Sequence, residues 1–339
     1  MSGGVDSSLA AALLSEQGYD VTGVYMKNWT QDFEGFECPW EQDITDADMV
    51  AAQLDLPFEV FNFQKEYKEK VVDYMLAEYK AGHTPNPDIM CNQEVKFKLF
   101  LDVSLEKGAD FIATGHYART RDGQLLKGID ANKDQSYFLY RVSERALRKT
   151  LMPIGEMKKP QVREEAEKRG LVTANKKDSQ GICFIGEVGI RQFLECYTDD
   201  IQSGTIIDQH GREIGQHDGV IFYTIGQRQG LGVGGGLPYY VTSKDMDKNI
   251  VYVTTDLDDD NLWSSEFTIR DIHWINRPPN TAKKYDIRMR YRSKLTSCTL
   301  DDNEDYYTVK LDKPDRAIAI GQSAVVYDGD VVVGGGIIS

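Results

Sequence analysis

The sequence predicts an α/β domain on a parallel sheet, followed by a small β-rich module and an all-β terminal unit. Strand-like and helix-like segments alternate as far as Thr114, the rhythm of parallel strands covered by crossover helices. From about Thr198, Gly, Asp and Asn punctuate short alternating segments instead. A glycine-rich string, Ser2-Gly3-Gly4-Val5-Asp6-Ser7-Ser8, runs straight into an amphipathic helical pattern, the arrangement that presents backbone N–H groups to an anion.

The elements follow in order. Leu9 to Gln17 reads as a helix stopped at Gly18, Asp20 to Tyr25 as a strand, and Ile44 to Leu54 as a helix. Phe58 to Phe63 is a strand, Lys65 to Lys80 and Val95 to Lys107 are helices, and Phe111 to Thr114 is a strand. Helices over Lys159 to Arg169 and Ile190 to Tyr197 close this part. Val220 to Thr224, Tyr239 to Thr242 and Ile250 to Thr254 are expected as strands. Asp328-Gly329 signals a hairpin between Ala324–Tyr327 and Val331–Val333, in a terminal barrel or sandwich. Three domains result, 1–197, 198–262 and 263–339. In parallel sheets ligands sit at the carboxyl ends of strands, so the loop, Met26 and Gly115-His116 should converge.

Of the 339 residues, 39 are Lys or Arg and 54 are Asp or Glu, a formal net charge of −15. Acidic bulk argues weakly against a nucleic-acid partner, so clustered cations must decide. Arg288-Met289-Arg290-Tyr291-Arg292-Ser293-Lys294 is such a cluster. Read as a strand, its period of two sets Arg288, Arg290, Arg292 and Lys294 on one face, a track for phosphates. The alternative is an edge strand blunted by charge. The basic stretch Lys158 to Lys177 contains Glu164, Glu165 and Glu167 and reads as a solvated helix face. Cys38, Cys91, Cys183, Cys196 and Cys298 form no C-x-x-C pair, which fits a reducing compartment and disfavours disulfide scaffolds and structural zinc. No apolar run reaches membrane-spanning length.

Two strings carry thiols. In Thr84-Pro85-Asn86-Pro87-Asp88-Ile89-Met90-Cys91-Asn92 the prolines exclude helix and a carboxylate precedes a cysteine by three residues, with a helix beginning just after. In Lys177-Asp178-Ser179-Gln180-Gly181-Ile182-Cys183 a second cysteine lies close to Lys176 and Lys177. Alone, the first reads more readily as an ordinary Pro-Asn loop with a buried cysteine, and the second equally as a strand with a small core residue.

The opening string resembles the loop of the PP-loop ATP pyrophosphatases, which cleave ATP between its α and β phosphates. With the two cysteine strings, and with Gly23–Trp29, Ala113–Arg119, Asn132–Phe138, Thr224–Arg228 and Gly321–Ala324, the chain resembles the tRNA-specific 2-thiouridylase family nearly end to end. The resemblance implies an adenine nucleotide alpha-hydrolase-like PP-loop fold and a C-terminal β-barrel that binds tRNA. In that family a strand precedes the loop; here only Met1 does, so the first strand is expected to be missing. The implied activity is ATP-dependent: C2 of the wobble uridine is adenylated and its oxygen replaced by sulfur from a cysteine persulfide. By the same resemblance Cys183 carries the persulfide, Cys91 is the partner nucleophile and Asp88 the acid or base. Ser2, Gly3, Gly4, Val5, Asp6, Ser7, Met26 and Gly115 fall at ATP, which brings Mg2+; no protein metal site is implied. Asn86, Pro87 and Asp88 fall at the target base, and His116, Lys133, Asp134, Gln135, Arg290, Tyr291 and Gln322 at other tRNA contacts. Implied partners are tRNA of the Lys, Glu and Gln type and a cysteine desulfurase or sulfur-relay protein, for a cytoplasmic monomer away from membranes. Cys38 is assigned no role. An amide-forming PP-loop ligase would need no cysteine pair, a non-catalytic tRNA-binding protein would need no Asp88, and no usual iron–sulfur spacing is present.

Overall fold

A string of alanines and leucines directly after the glycine loop builds the first helix, Val5–Glu16, and buries most of its circumference. A helix apolar on nearly all sides belongs inside, so this one is a core helix rather than the amphipathic one expected. In the computed structural model, which describes residues 1–30, 40–177, 189–198, 201–234 and 236–339, Leu9, Ala12 and Val5 pack against Val162 and Ala166 of the helix Lys159–Lys168.

Among the described residues, the parallel strands of the α/β part fall in two pairs. Gly23–Lys27 pairs with Phe58–Asn62, and Ile112–Ala113 with Thr150–Leu151. The Val24 carbonyl accepts from the Met1 amine, which ties the start of the loop to the first pair. Helix Trp40–Gln53 connects the first two strands, and a helical run over residues 64–80 follows them. The next helical run, over residues 87–106, starts at Pro87, well before the expected Val95. Pro87 stands at the first helical position, where its missing N–H costs nothing and its fixed φ suits the helix. From Cys91 to Leu99 the winding is π-helical, a wider turn often found at functional sites.

The central module is a four-stranded sheet in the order Glu213–His217, Gly204–Ile207, Ile250–Thr254, Tyr240–Asp245. Val220–Phe222, expected as a strand, is a single 3₁₀ turn that buries Val220 and Ile221 in the module's core.

The terminal unit is a closed six-stranded antiparallel barrel. Trp263–Trp274 pairs with Tyr307–Arg316 on one side and Val331–Ile338 on the other, while Thr296–Asp302, Tyr285–Arg288 and Ser323–Asp328 complete the circuit. Closure removes the exposed sheet edge. Val331–Ile338 also pairs with Gln124–Lys127, whose hairpin partner is Ala118–Arg121, so the barrel sheet continues into the α/β part. The largest core spans the same junction, from Val71, Met75 and Val95 to Val325, Tyr327 and Val332. Among the described residues no helix is long and apolar enough to cross a membrane.

The strand expected over Arg288–Lys294 ends at Arg288, and the chain turns at residues 289–292. Arg288 points inward, 3.3 Å from the carboxylate of Asp134, and Arg292 adopts a left-handed φ of 61°. The cations therefore share no face: the charge alternation is real, but one arginine is committed to a buried carboxylate.

Candidate active site

The glycine loop closes on itself through hydroxyls. Ser2 N–H donates to Oγ of Ser7 at 3.1 Å, and the hydroxyls of Ser7 and Ser8 donate to the Gly4 carbonyl at 3.1 and 2.9 Å. Gly3 has φ 69°, and a Cβ there would stand 2.4 Å from the Asp43 carbonyl oxygen. Neither the conformation nor the space admits a side chain. At Gly4, by contrast, a Cβ would meet only Ser2 Oγ at 3.6 Å, and no side chain caps the helix that Gly4 precedes. The mouth of the loop is thus open at a helix N-terminus, a cradle shaped for an anion.

Behind the mouth, Asp6 is gripped from inside the protein. The Lys159 ammonium reaches its two carboxylate oxygens at 2.7 and 2.9 Å, and the Tyr117 hydroxyl donates to it at 2.7 Å. Lys159, expected on a solvated face, is 8% exposed. Lys176 of the same basic stretch bonds Asp43 at 2.8 Å, and also Asp46. Burial opposes its charge, but the two carboxylates hold its ammonium above the ordinary value. Sequence reasoning missed Lys159 and Tyr117 as parts of the loop; the available signal was Lys158-Lys159-Pro160, a cation immediately before a helix.

Gly115 lies against this loop: a Cβ on it would stand 2.7 Å from Asp6 C and Ser7 N. The next residue turns the other way. His116 packs at a tilt on Phe97 of the 87–106 helix with ring centroids 5.6 Å apart, and its Nδ1 pairs with the Thr114 hydroxyl at 3.0 Å. Burial, with the Lys96 charge adding to it, pushes the imidazole down to about 3, so the ring is neutral at physiological pH. Met26 is half-buried against the main core on the neighbouring strand pair.

Asp88 and Cys91 are three residues apart on one helix, hence on one face. Asp88 is half-buried in the first turn and Cys91 is 1% exposed. Asn86 precedes the helix with an extended backbone, and Pro87 is buried. Cys183 and Cys38 lie outside the described residues. Cys298 is buried in the barrel, where desolvation pushes its thiol up to about 12, as befits a packing residue.

The remaining sequence-derived contacts sit at the junction with the barrel. The Asp134 side chain, 3% exposed, accepts from the N–H groups of Gly128 and Ser136 at 3.0 and 3.1 Å and faces Arg288. That carboxylate is a structural pin, turned away from any surface. The Gln135 side-chain carbonyl accepts from Tyr117 N–H at 2.9 Å. Lys133 is half-buried on the same turn. Arg290 donates to the Ala317 carbonyl, and Tyr291 packs on Phe138 with centroids 4.4 Å apart. Gln322 Nε2 donates to the Thr84 carbonyl at 2.7 Å.

Fold and site together define a three-part protein, an α/β nucleotide-type domain with two β modules. Residues 1–187 match the family model of the tRNA methyl transferase HUP domain, 191–255 the tRNA methyl transferase PRC-barrel domain, and 264–338 the aminomethyltransferase beta-barrel domain. The chain is 48% identical over 349 residues to a protein of Streptococcus mutans named tRNA-specific 2-thiouridylase MnmA, covering 100% of this chain and 93% of the relative. A Stutzerimonas stutzeri protein of the same name is 49% identical over 348 residues, covering 100% of this chain and 92% of the relative. The chain belongs to the tRNA-specific 2-thiouridylase family.

Proposed function

We propose that the protein is an ATP-dependent sulfurtransferase that converts the wobble uridine of tRNA to 2-thiouridine, with AMP and pyrophosphate as by-products. The observation that carries this reading is the strand end Gly115-His116, which joins an anion-shaped loop to a thiol-bearing helix. Gly115 packs on the backbone of Asp6 and Ser7, and His116 on Phe97, six residues along the same helical run from Cys91. The family relationship supports the choice of substrate.

In this reading Ser2 to Ser7 hold the ATP phosphates, Gly115 and Met26 border the adenosine, and Mg2+ travels with the phosphates. Asn86, Pro87 and Asp88 border the uracil, and Asp88 holds or accepts a proton there. Adenylation turns the poor leaving group at C2 into AMP. The sulfur arrives as a persulfide on Cys183, loaded by a cysteine desulfurase or relay protein. Cys91 thiolate then attacks Sγ of Cys183, forming a Cys91–Cys183 disulfide and expelling hydrosulfide, which adds to C2 as AMP leaves. Alternatively the persulfide attacks C2 and Cys91 resolves the adduct, giving the same disulfide. A dithiol reductant resets the pair in both routes. Asn132 to Gln135 and the Arg290 turn flank the tRNA path, with Lys133, Arg290 and Tyr291 the side chains on it, in a cytoplasmic monomer.

The test is to incubate the protein with unmodified tRNA, Mg-ATP, a dithiol reductant and a cysteine desulfurase charged with sulfur-labelled cysteine, and to assay nucleosides and nucleotides. 2-Thiouridine with AMP is expected; absence of both overturns the reading.

A further inference from the structure

Thr84 is where the three parts of the chain meet. Its N–H donates to the Ile320 carbonyl at 2.9 Å and its carbonyl accepts from Gln322 at 2.7 Å. Its hydroxyl lies 3.2 Å from that of Thr224. Ile320 and Gln322 follow the barrel strand Tyr307–Arg316, and Thr224 belongs to the central module. Gly321, at φ 90°, permits this approach: a Cβ there would stand 2.7 Å from Thr84 N and from the His83 side chain.

Beyond Thr84 come Pro85, Asn86 and Pro87, and then the helix that carries Asp88 and Cys91. Two fixed proline φ angles leave this short link few soft torsions, so it couples Thr84 to the helix start. The same helix is tied to the barrel a second time. The Gln93 side-chain carbonyl accepts from Arg141 Nε, while the Arg141 guanidinium holds the Asp271 carbonyl at 2.8 Å and its carboxylate at 2.9 Å. Arg141 is 8% exposed, so the strut is buried at its centre and reaches the surface only at Asp271.

We propose that Gln322 is a positioning residue: its amide latches the barrel to Thr84, and the latch sets the orientation of Asp88 and Cys91. The idea rests on the thiolation reading above. It gives the Gln322 amide N–H a protein partner rather than a tRNA one. It also makes the barrel part of the frame of the reacting helix as well as a surface for RNA.

The test uses the intact chain with Gln322→Met, which keeps the length and loses the donor, and Gln322→Glu, which sets a carboxylate against the Thr84 carbonyl. In steady-state thiolation kcat falls about tenfold while KM for tRNA stays within about twofold, the signature of misplaced groups rather than lost binding. In the resting protein, iodoacetamide alkylation followed at Cys91 by mass spectrometry speeds up at least about threefold, since loosening the helix exposes a buried thiol. A raised KM with unchanged kcat makes Gln322 a tRNA contact and overturns the proposal. Unchanged kcat and unchanged Cys91 alkylation also overturn it, whatever the melting temperature does. Should neither variant fold, Gln322→Asn decides: it keeps the amide but draws it back from the Thr84 carbonyl, and unchanged Cys91 alkylation overturns the proposal. The alkylation arm needs no turnover, so a failure of the latch is distinguishable from a failure of the thiolation reading.

Discussion

The Lys159 ammonium and the Asp6 carboxylate form a two-pronged ion pair, 2.7 and 2.9 Å long, across 153 residues of sequence. It holds the second helical residue of the glycine loop from behind, leaving the loop mouth clear. Lys159→Met leaves that carboxylate with the Tyr117 hydroxyl and a less ordered loop. We expect KM for ATP to rise about tenfold or more, and stability to fall by about 1–3 kcal/mol. Tyr117→Phe, which removes the hydroxyl's hydrogen bond to Asp6, costs about 1 kcal/mol. Urea denaturation and ATP titration of turnover check both values.

Gly115→Ala should be severe for its size. The added methyl meets the backbone of Asp6 and Ser7, which cannot yield as a flexible side chain can. Overpacking of this kind costs about 1–3 kcal/mol. Because the strain falls on the loop, nucleotide binding should suffer more than tRNA binding. Calorimetric titration with a non-hydrolysable ATP analogue, beside a tRNA gel-shift, separates the two.

His116 makes the stability depend on pH in a definite direction. Its imidazole lies at about 3 in the folded protein and near the ordinary 6.5 when unfolded. The unfolded chain therefore binds more protons between these values. The contribution is complete above pH ~6.5 and is lost as pH falls towards 3, at up to ~1.4 kcal/mol per pH unit. His116→Gln should flatten the fall in urea midpoint between about pH 6.5 and 5. An unchanged slope would assign it to other groups, His217 and His273 first, whose imidazoles burial also pushes down.

The Asp134–Arg288 pair predicts a stability effect where a surface contact would give a binding effect. With side chains 3% and 12% exposed, the pair is interior. Breaking it from either side strands a charge, so Asp134→Asn and Arg288→Met should each cost about 3 kcal/mol or more. Thermal melts measure this directly. The salt dependence of tRNA binding by the surviving folded fraction should stay unchanged.

These residues show what a sequence can and cannot reveal. The helix Ile190–Tyr197 and the strand Ile250–Thr254 have the bounds that local periodicity predicts, because their apolar patterns face a core directly. The meeting of Gly115 with the loop was legible too, since parallel strands present their carboxyl ends together. Periodicity failed where a distant partner decides. Arg288 alternates as a strand face would, but Asp134, 154 residues earlier, draws it inward and the strand stops. Lys159 looked solvated among its charged neighbours until Asp6 supplied a buried partner. Pro87 looked like a helix breaker and is a helix start, a distinction that depends on whether its N–H would have been needed.

The most direct test of the central claim compares the wild type with Cys91→Ser and Cys183→Ser, counting AMP and 2-thiouridine in one reaction. The account predicts that the wild type forms the two products in equal amounts. It also predicts that both variants lose 2-thiouridine while still exchanging labelled pyrophosphate into ATP in the presence of tRNA. Thiouridine formed without ATP, or at the wild-type rate by either cysteine variant, would contradict it.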